Sequence, residues 1–125
     1  MADILIQIGD VIMQAELYPT PTAQSIGDAL PLAGAAHVWG EEIYFDLSLH
    51  IGMEPDAREE VEVGELGYWP AGPAFCIFFG PTPVSRGTAP RAYSPVNVFG
   101  KIKGDPAPLR NIPEGTPVRV TGQGE

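Results

Sequence analysis

Glycine and proline interrupt this chain so often that turns must make up much of its fold. The 125 residues include 15 glycines and 14 prolines, which are scattered and follow no repeat. Scattered residues of these types mark turns, because glycine accepts backbone angles that other residues avoid and proline cannot donate a backbone hydrogen bond. The sequence therefore predicts a single domain over residues 1–125, in which short elements are joined by turns.

Most runs between these turns have the two-residue period of β-strands. Residues 4–8 and 11–17 alternate on either side of a Gly-Asp pair, which predicts a hairpin. Residues 75–79 are apolar throughout and rich in phenylalanine, as is typical of a strand buried on both faces. The prolines of residues 81–95, by contrast, predict a long surface loop.

One segment has a helical pattern instead. Thr20 can cap a helix, and Pro21 suits its first turn. Ala23, Ile26 and Leu30 would then share one face. The chain is thus mainly β with a short helix, and many short strands around one core are typical of a barrel or a sandwich.

The charge of the chain limits its partners. Seven Lys and Arg residues stand against 16 Asp and Glu residues, so the net charge is -9. The basic residues are dispersed and form no stripe that would bind phosphates, so neither nucleic acid nor a membrane surface is an expected partner. The start of the sequence lacks the pattern of a signal peptide, no apolar run is long enough to span a membrane, and Cys76 is the only cysteine. These features predict a cytoplasmic protein.

Three segments carry a family resemblance. They read HVWGEEIYF at 37–45, GELGYWPAGPAFCIFFGPTP at 64–83 and VNVFGKIKG at 96–104. Together with the hairpin and the helix, they cover nearly the whole chain and resemble the small prokaryotic cyclophilin-like proteins, whose function is uncharacterised. The resemblance implies a closed cyclophilin-like β-barrel with one or two short helices.

The same resemblance sets the chain apart from the cyclophilin prolyl isomerases. Those enzymes place an arginine in an FHR-type strand, where it hydrogen-bonds the substrate proline, and a glutamine in a QGG-type segment. Neither motif occurs here, and the corresponding region reads EEIYFDLSLHIG at 41–52. The chain therefore lacks the arginine on which isomerase activity usually depends.

We predict instead that the protein binds a small molecule or an extended peptide in an aromatic groove. Aromatic side chains with a polar atom suit such a site, because they offer apolar area and still orient a ligand. The predicted ligand-binding residues are Trp39, Tyr44, Tyr68, Trp69, Phe79, Glu41 and Arg86. The alternative is that the rings, Phe79 above all, belong to the core.

Two enzymatic alternatives remain open. An extended segment would place His37 and Glu41 on one face, where they would act as base and acid in a hydrolase or isomerase. In the other alternative, Arg86 or Arg91 replaces the missing guanidinium in a weak prolyl isomerase. These alternatives depend on which side chains the fold brings together.

Metal, cofactor and nucleotide chemistry lack support in the sequence. His37 and His50 are the only histidines, so a zinc or iron site would lack ligands. No glycine-rich phosphate-binding motif is present, and Cys76 lies in an apolar run, where a thiol is usually inert. We therefore expect no metal and no cofactor, and the sequence leaves the oligomeric state open.

Overall fold

The structure is a computed structural model, and it describes residues 3–122. Within these residues it contains ten strands, one α-helix and one short 3₁₀ helix. In chain order the elements are β1 (Asp3–Ile8), β2 (Val11–Leu17), α1 (Pro21–Ala29), β3 (Leu32–Ala35), β4 (His37–Val38), β5 (Glu42–Asp46), β6 (Arg58–Glu60), β7 (Glu65–Trp69), β8 (Ala74–Phe78), β9 (Arg91–Lys103), the 3₁₀ helix (Ala107–Asn111) and β10 (Pro117–Gly122).

The predicted hairpin is confirmed at the start of the described chain. β1 and β2 pair in antiparallel orientation. Gly9 in the turn has a φ of 59°, a left-handed conformation that glycine adopts without a steric penalty. Ile4, Ile6 and Ile8 are buried, as the two-residue period predicted.

The predicted helix is also confirmed. The Thr20 hydroxyl accepts a hydrogen bond of 3.0 Å from the Ala23 backbone N–H, and Pro21 occupies the first helical position. Ile26 is buried in the core, and Leu30, just past the end of α1, packs against it. Within residues 3–122, no helix is long and apolar enough to cross a membrane.

The strands form one antiparallel sheet, and it is not a closed barrel. The strand order is β3-β10-β1-β2-β9-β7-β8-β5-β4, with β6 paired to β9. The prediction of a closed barrel is therefore wrong, because no hydrogen-bonded ladder joins β3 to β4 among the described residues. The physical reason is that β3 and β4 are successive parts of one stretch, linked through Ala36. Its first part, β3, pairs with β10, and its second part, β4, pairs with β5. The two ends of the sheet are therefore connected by the covalent chain and not by hydrogen bonds between strands.

The predicted loop of residues 81–95 is shorter than expected, because β9 begins at Arg91. β9 pairs with β6 through Arg91 and Val96, and the register is irregular between these two pairs. Pro95 lies in the irregular part, where its missing N–H removes no ladder hydrogen bond. β6 lies in the charged segment EPDAREEVE at 54–62 and is half-buried only at Glu59.

The strands around the candidate site bury both of their faces. β8 is buried throughout, which confirms the prediction for residues 75–79. One face contributes to the main core, where the Phe75 ring lies between Phe45 and Phe99 with centroid distances of 4.9 and 5.2 Å. The opposite face carries a smaller apolar group, here called the outer cluster. It comprises Val61, Ala74, Cys76, Phe78, Ala92 and Val96, with Tyr44, Trp69 and Val98 packed against them.

Candidate functional site

A pocket of about 270 Å³ lies on the outer-cluster face of the sheet. Its walls come from β5, β8, β7 and β9, which are neighbours in the sheet, and from the turn before β5. The lining residues are Trp39, Glu42, Tyr44, Trp69, Cys76, Ala92, Tyr93 and Val96. Because these strands are hydrogen-bonded to one another, the sheet holds most of the walls in place.

A tight turn sets Trp39 and Glu42 side by side. The two residues exchange backbone hydrogen bonds of 2.9 and 3.1 Å across Gly40 and Glu41, so their side chains leave the hairpin on the same side. Gly40 has a φ of 60°, and a Cβ atom there would come within 2.9 Å of the Thr82 Cα atom. Only glycine fits this position, and the turn therefore fixes the tryptophan beside the carboxylate.

The period of the strands brings further lining residues together. Glu42 and Tyr44 are two residues apart in β5 and share a face. Cys76 of β8 lies directly opposite Tyr44, and cross-strand partners point to the same side. Trp69 ends β7, and Tyr93 comes from the start of β9. Residues from distant parts of the chain thus converge on one cavity.

The aromatic rings meet edge to face. The Tyr93 ring centroid lies 6.3 Å from that of Trp39 and 6.2 Å from that of Trp69, with interplanar angles of 73° and 83°. The Trp69 indole N–H donates a hydrogen bond of 2.6 Å to Ser94 Oγ, which holds the indole in its orientation. Tyr93 is 71% exposed and forms the outer rim.

Glu42 is a buried carboxylate without a cationic partner. Its exposed fraction is 5%, and within residues 3–122 it forms no ion pair with a lysine, arginine or histidine. Burial raises the pKa of Glu42 from 4.5 to about 7, and a hydrogen bond with the Cys76 thiol opposes part of this change. The carboxyl group is therefore poised to gain or lose its proton near neutral pH.

Two further titratable groups of the pocket, Cys76 and Tyr44, keep their protons at neutral pH. Burial, together with the nearby Glu42 carboxylate, raises the pKa of the Cys76 thiol well above its usual range. Burial also raises the pKa of the Tyr44 phenol. A thiol in this state is a poor nucleophile, in agreement with the inert role predicted for Cys76. Of Glu42, Tyr44 and Cys76, only Glu42 has a pKa near neutral pH.

The structure brings some of the predicted ligand-binding residues together and separates others. Those that line the pocket are Trp39, Tyr44 and Trp69. Tyr68 and Phe79 instead lie in the main core and are 1% and 3% exposed. The physical reason is the strand period: Tyr68 precedes Trp69, and Phe79 follows Phe78 of the outer cluster, so neighbouring side chains point to opposite faces.

The two charged residues predicted for the site do not line the pocket. Glu41 accepts a hydrogen bond of 3.2 Å from Arg110 Nε, and Arg86 is exposed within residues 81–90. The carboxylate that lines the pocket is Glu42. Its position two residues before Tyr44 was a usable signal in the sequence, because alternate strand residues share a face.

The extended arrangement predicted for His37 and Glu41 is wrong. The chain turns at Gly40, so the segment is not one continuous strand. His37 Nδ1 lies 2.8 Å from Glu114 Oε2, and its Nε2 lies 3.8 Å from Asp46 Oδ2. No group of three or more His, Cys, Asp and Glu side chains is arranged to hold a metal in the described part of the chain.

Gly67 allows the base of the pocket to form. A Cβ atom there would lie 2.9 Å from Val96 Cγ2 and 3.1 Å from Phe78 Cε2. We expect Gly67→Ala to lower the free energy of unfolding by about 1–3 kcal/mol, as overpacking does. Urea denaturation measures this change. Gly52→Ala is the control, since no atom lies within 4 Å of that Cβ position. Equal effects of the two substitutions would contradict the prediction.

Two comparisons with known proteins bear on the fold. A family model described as Cyclophilin-like matches residues 2–121. The solution structure of the hypothetical protein AF2241 from Archaeoglobus fulgidus is similar to this one, with a TM-score of 0.81 and 35% sequence identity, over 96% of this chain and 93% of that chain. A search of curated proteins finds no match.

Proposed function

This chain belongs to the cyclophilin-like family, and we propose that it is a binding protein whose small-molecule ligand occupies the pocket on the outer cluster. The observation that carries the proposal is the grouping of aromatic rings around one buried, unpaired carboxylate in a single cavity. Largely apolar walls with one or two polar groups are typical of small-molecule sites, because the walls supply affinity and the polar groups supply orientation.

The size of the pocket supports a small ligand. Its volume of about 270 Å³ is close to the lower end of the range of ligand sites, roughly 300–1,000 Å³. A small molecule fits such a cavity, as does one side chain of an extended peptide. The small molecule is preferred, because the lining residues form one compact cavity and no row of subsites.

Prolyl isomerase activity has little support from the arrangement of the arginines. Arg91 Nη2 lies 2.5 Å from Glu59 Oε1, and Arg91 Nη1 lies 3.7 Å from Glu60 Oε2. Neither Arg91 nor Arg86 lines the pocket. Among the described residues that line the pocket there is therefore no guanidinium that would hydrogen-bond a proline amide.

An acid–base enzyme that uses Glu42 is the second candidate. The raised pKa of Glu42 favours it, because a general base works best when its pKa is near the working pH. Binding is preferred, since the raised pKa values of the Cys76 thiol and the Tyr44 phenol make both groups weak general acids beside Glu42. Turnover of a bound compound that is lost in Glu42→Gln would favour the enzyme.

An NMR screen with a fragment library tests the proposal. We expect binding fragments to shift the indole N–H signals of Trp39 and Trp69 together, while signals of the β1–β2 hairpin stay in place. A library that never shifts these two signals together would overturn the proposal.

Shortening the Tyr93 side chain at the rim of the pocket provides a second test of the proposal. Tyr93→Ala is expected to weaken fragment binding several-fold, because it removes one wall of the pocket. Ile12→Ala is the matched control: Ile12 is also a large exposed apolar residue, 63% exposed against 71% for Tyr93, and it lies on the remote hairpin. Both variants should fold, since exposed side chains contribute little to stability. Equal fragment affinities in the two variants would contradict this prediction.

A further inference from the structure

We propose that the ligand of this pocket is a small methylated ammonium cation, a tertiary or quaternary amine; this inference rests on the proposed function and names its ligand class. Three features of the pocket favour such a ligand: the carboxylate without an ion-pair partner, the placement of the rings and the small number of hydrogen-bond acceptors. The carboxylate and the rings favour a cation over an anion or a neutral ligand, and the acceptors favour a cation with few N–H donors.

The carboxylate favours a cation. Glu42 is 5% exposed and has no ion-pair partner within residues 3–122, so its charged form is desolvated and uncompensated. A cation in the cavity would supply the missing partner, whereas an anion would be repelled by Glu42 and by the net charge of -9. A neutral ligand could hydrogen-bond the carboxylate but would not neutralise its charge.

The rings favour the same charge. The Tyr93 ring stands nearly perpendicular to the rings of Trp39 and Trp69, at 73° and 83°. Rings that meet at such angles border a cavity on more than one side, and an edge-to-face contact covers at most one face of one of the two rings. The π-face of tryptophan or tyrosine attracts cations, and aromatic cages of this type recognise quaternary ammonium groups.

The shortage of acceptors favours methylation. A primary ammonium has three N–H donors and a guanidinium has five, each of which needs an acceptor when it is buried. Among the lining side chains, the acceptors are the Glu42 carboxylate, which is the only ionised one, and the hydroxyls of Tyr44 and Tyr93. These are fewer than the five donors of a guanidinium require, and the Trp69 indole N–H is a donor already bonded to Ser94. A cation with one N–H or none leaves no donor unsatisfied. Its methyl groups would pack against the rings.

Choline and its uncharged analogue, in which carbon replaces the nitrogen, distinguish charge from shape. Each is titrated into the protein at pH 8, and binding is followed by tryptophan fluorescence and by the indole N–H signals. We expect choline to bind saturably and at least tenfold more tightly than the analogue. Glu42→Gln should weaken choline binding at least tenfold. Glu41→Gln should not, because it removes the neighbouring carboxylate, which pairs with Arg110 outside the pocket.

The pH dependence of the wild-type protein gives a test without a pocket mutation. Choline requires ionised Glu42, so its affinity should fall by up to tenfold for each pH unit below about 7 and level off above it. The titratable groups that line the pocket with Glu42 are Tyr44 on its own strand, Cys76 on β8 and Tyr93 on β9. The raised pKa values of Tyr44 and Cys76 keep both of these protonated in this range. His37 contacts Tyr44, so His37→Gln is the control and should retain the pH dependence.

The outcomes separate this inference from the proposed function. Equal affinity for choline and its analogue, or choline binding that survives Glu42→Gln unchanged, would overturn the inference and leave a binding pocket. The same holds if other fragments shift the indole signals and choline does not. If neither choline nor any fragment shifts them, both the inference and the proposed function fail.

Discussion

Glu42→Gln is expected to stabilise the protein at pH 8 by on the order of 3 kcal/mol, because each pKa unit corresponds to about 1.4 kcal/mol and burial raises the pKa of Glu42 from 4.5 to about 7. Above pH 7 the folded wild-type protein holds a desolvated charge that the unfolded chain exposes to water. Glutamine has nearly the same shape and carries no charge. The substitution that weakens cation binding should therefore strengthen the fold.

The sign of this effect gives a characteristic pH profile. A carboxyl group whose pKa is raised in the folded state contributes stability that is complete below pH 4.5 and is lost as the pH rises through about 7. Urea denaturation of both proteins at pH 5 and pH 8 should thus show a small difference at the lower pH and the full difference at the higher one. Glu41→Gln, at a surface ion pair, should change stability by less than about 1 kcal/mol. An equal difference at both pH values would contradict the assignment.

Phe75→Ala is expected to produce the largest loss of stability, about 3–5 kcal/mol. Phe75 is fully buried in the main core, where its ring stacks on Phe45 and meets Phe99 edge to face. The substitution removes both ring contacts and leaves a cavity that rigid strands cannot close. The free energy of unfolding from urea denaturation measures the loss.

A graded series separates the cavity effect from a general weakness of β8. Phe75→Leu should destabilise the protein less than Phe75→Ala, because leucine refills part of the space. Fragment binding should persist in folded Phe75→Leu, since Phe75 points away from the pocket lining. Equal losses for alanine and leucine would show that packing volume does not set the effect.

The elements formed by nearby residues were predictable from the sequence. The β1–β2 hairpin and α1 depend on a turn glycine, a capping threonine and the apolar period, all of which act over a few residues. The resemblance to cyclophilin-like proteins is confirmed over residues 2–121. Barrel closure was not predictable, since it depends on which strands β3 and β4 pair with, and the pairing of β3 with β10 joins residues that lie far apart in the sequence.

The candidate site was predictable only in part. Of the predicted ligand-binding residues, Trp39, Tyr44 and Trp69 line the pocket. Tyr68 shares their composition and position, yet adjacent strand residues point to opposite faces, so it could not line the same pocket as Trp69. If the two-residue strand period had been applied strictly, either Tyr68 or Trp69 would have been left out of the predicted site. The same period would have predicted Glu42, which shares a strand face with Tyr44, in place of Glu41.

The sequence by itself determined the short strands, the single α-helix and the family, because these depend on local periodicity, on turn residues and on motifs that lie within single segments. Only the tertiary structure decided that Glu42, Cys76 and Tyr93 share one cavity, since they lie on β5, β8 and β9 and meet through antiparallel pairing across the sheet. The tertiary structure also sets the pKa of Glu42. The energy of a buried carboxylate depends on which groups surround it, and those groups come from distant parts of the chain.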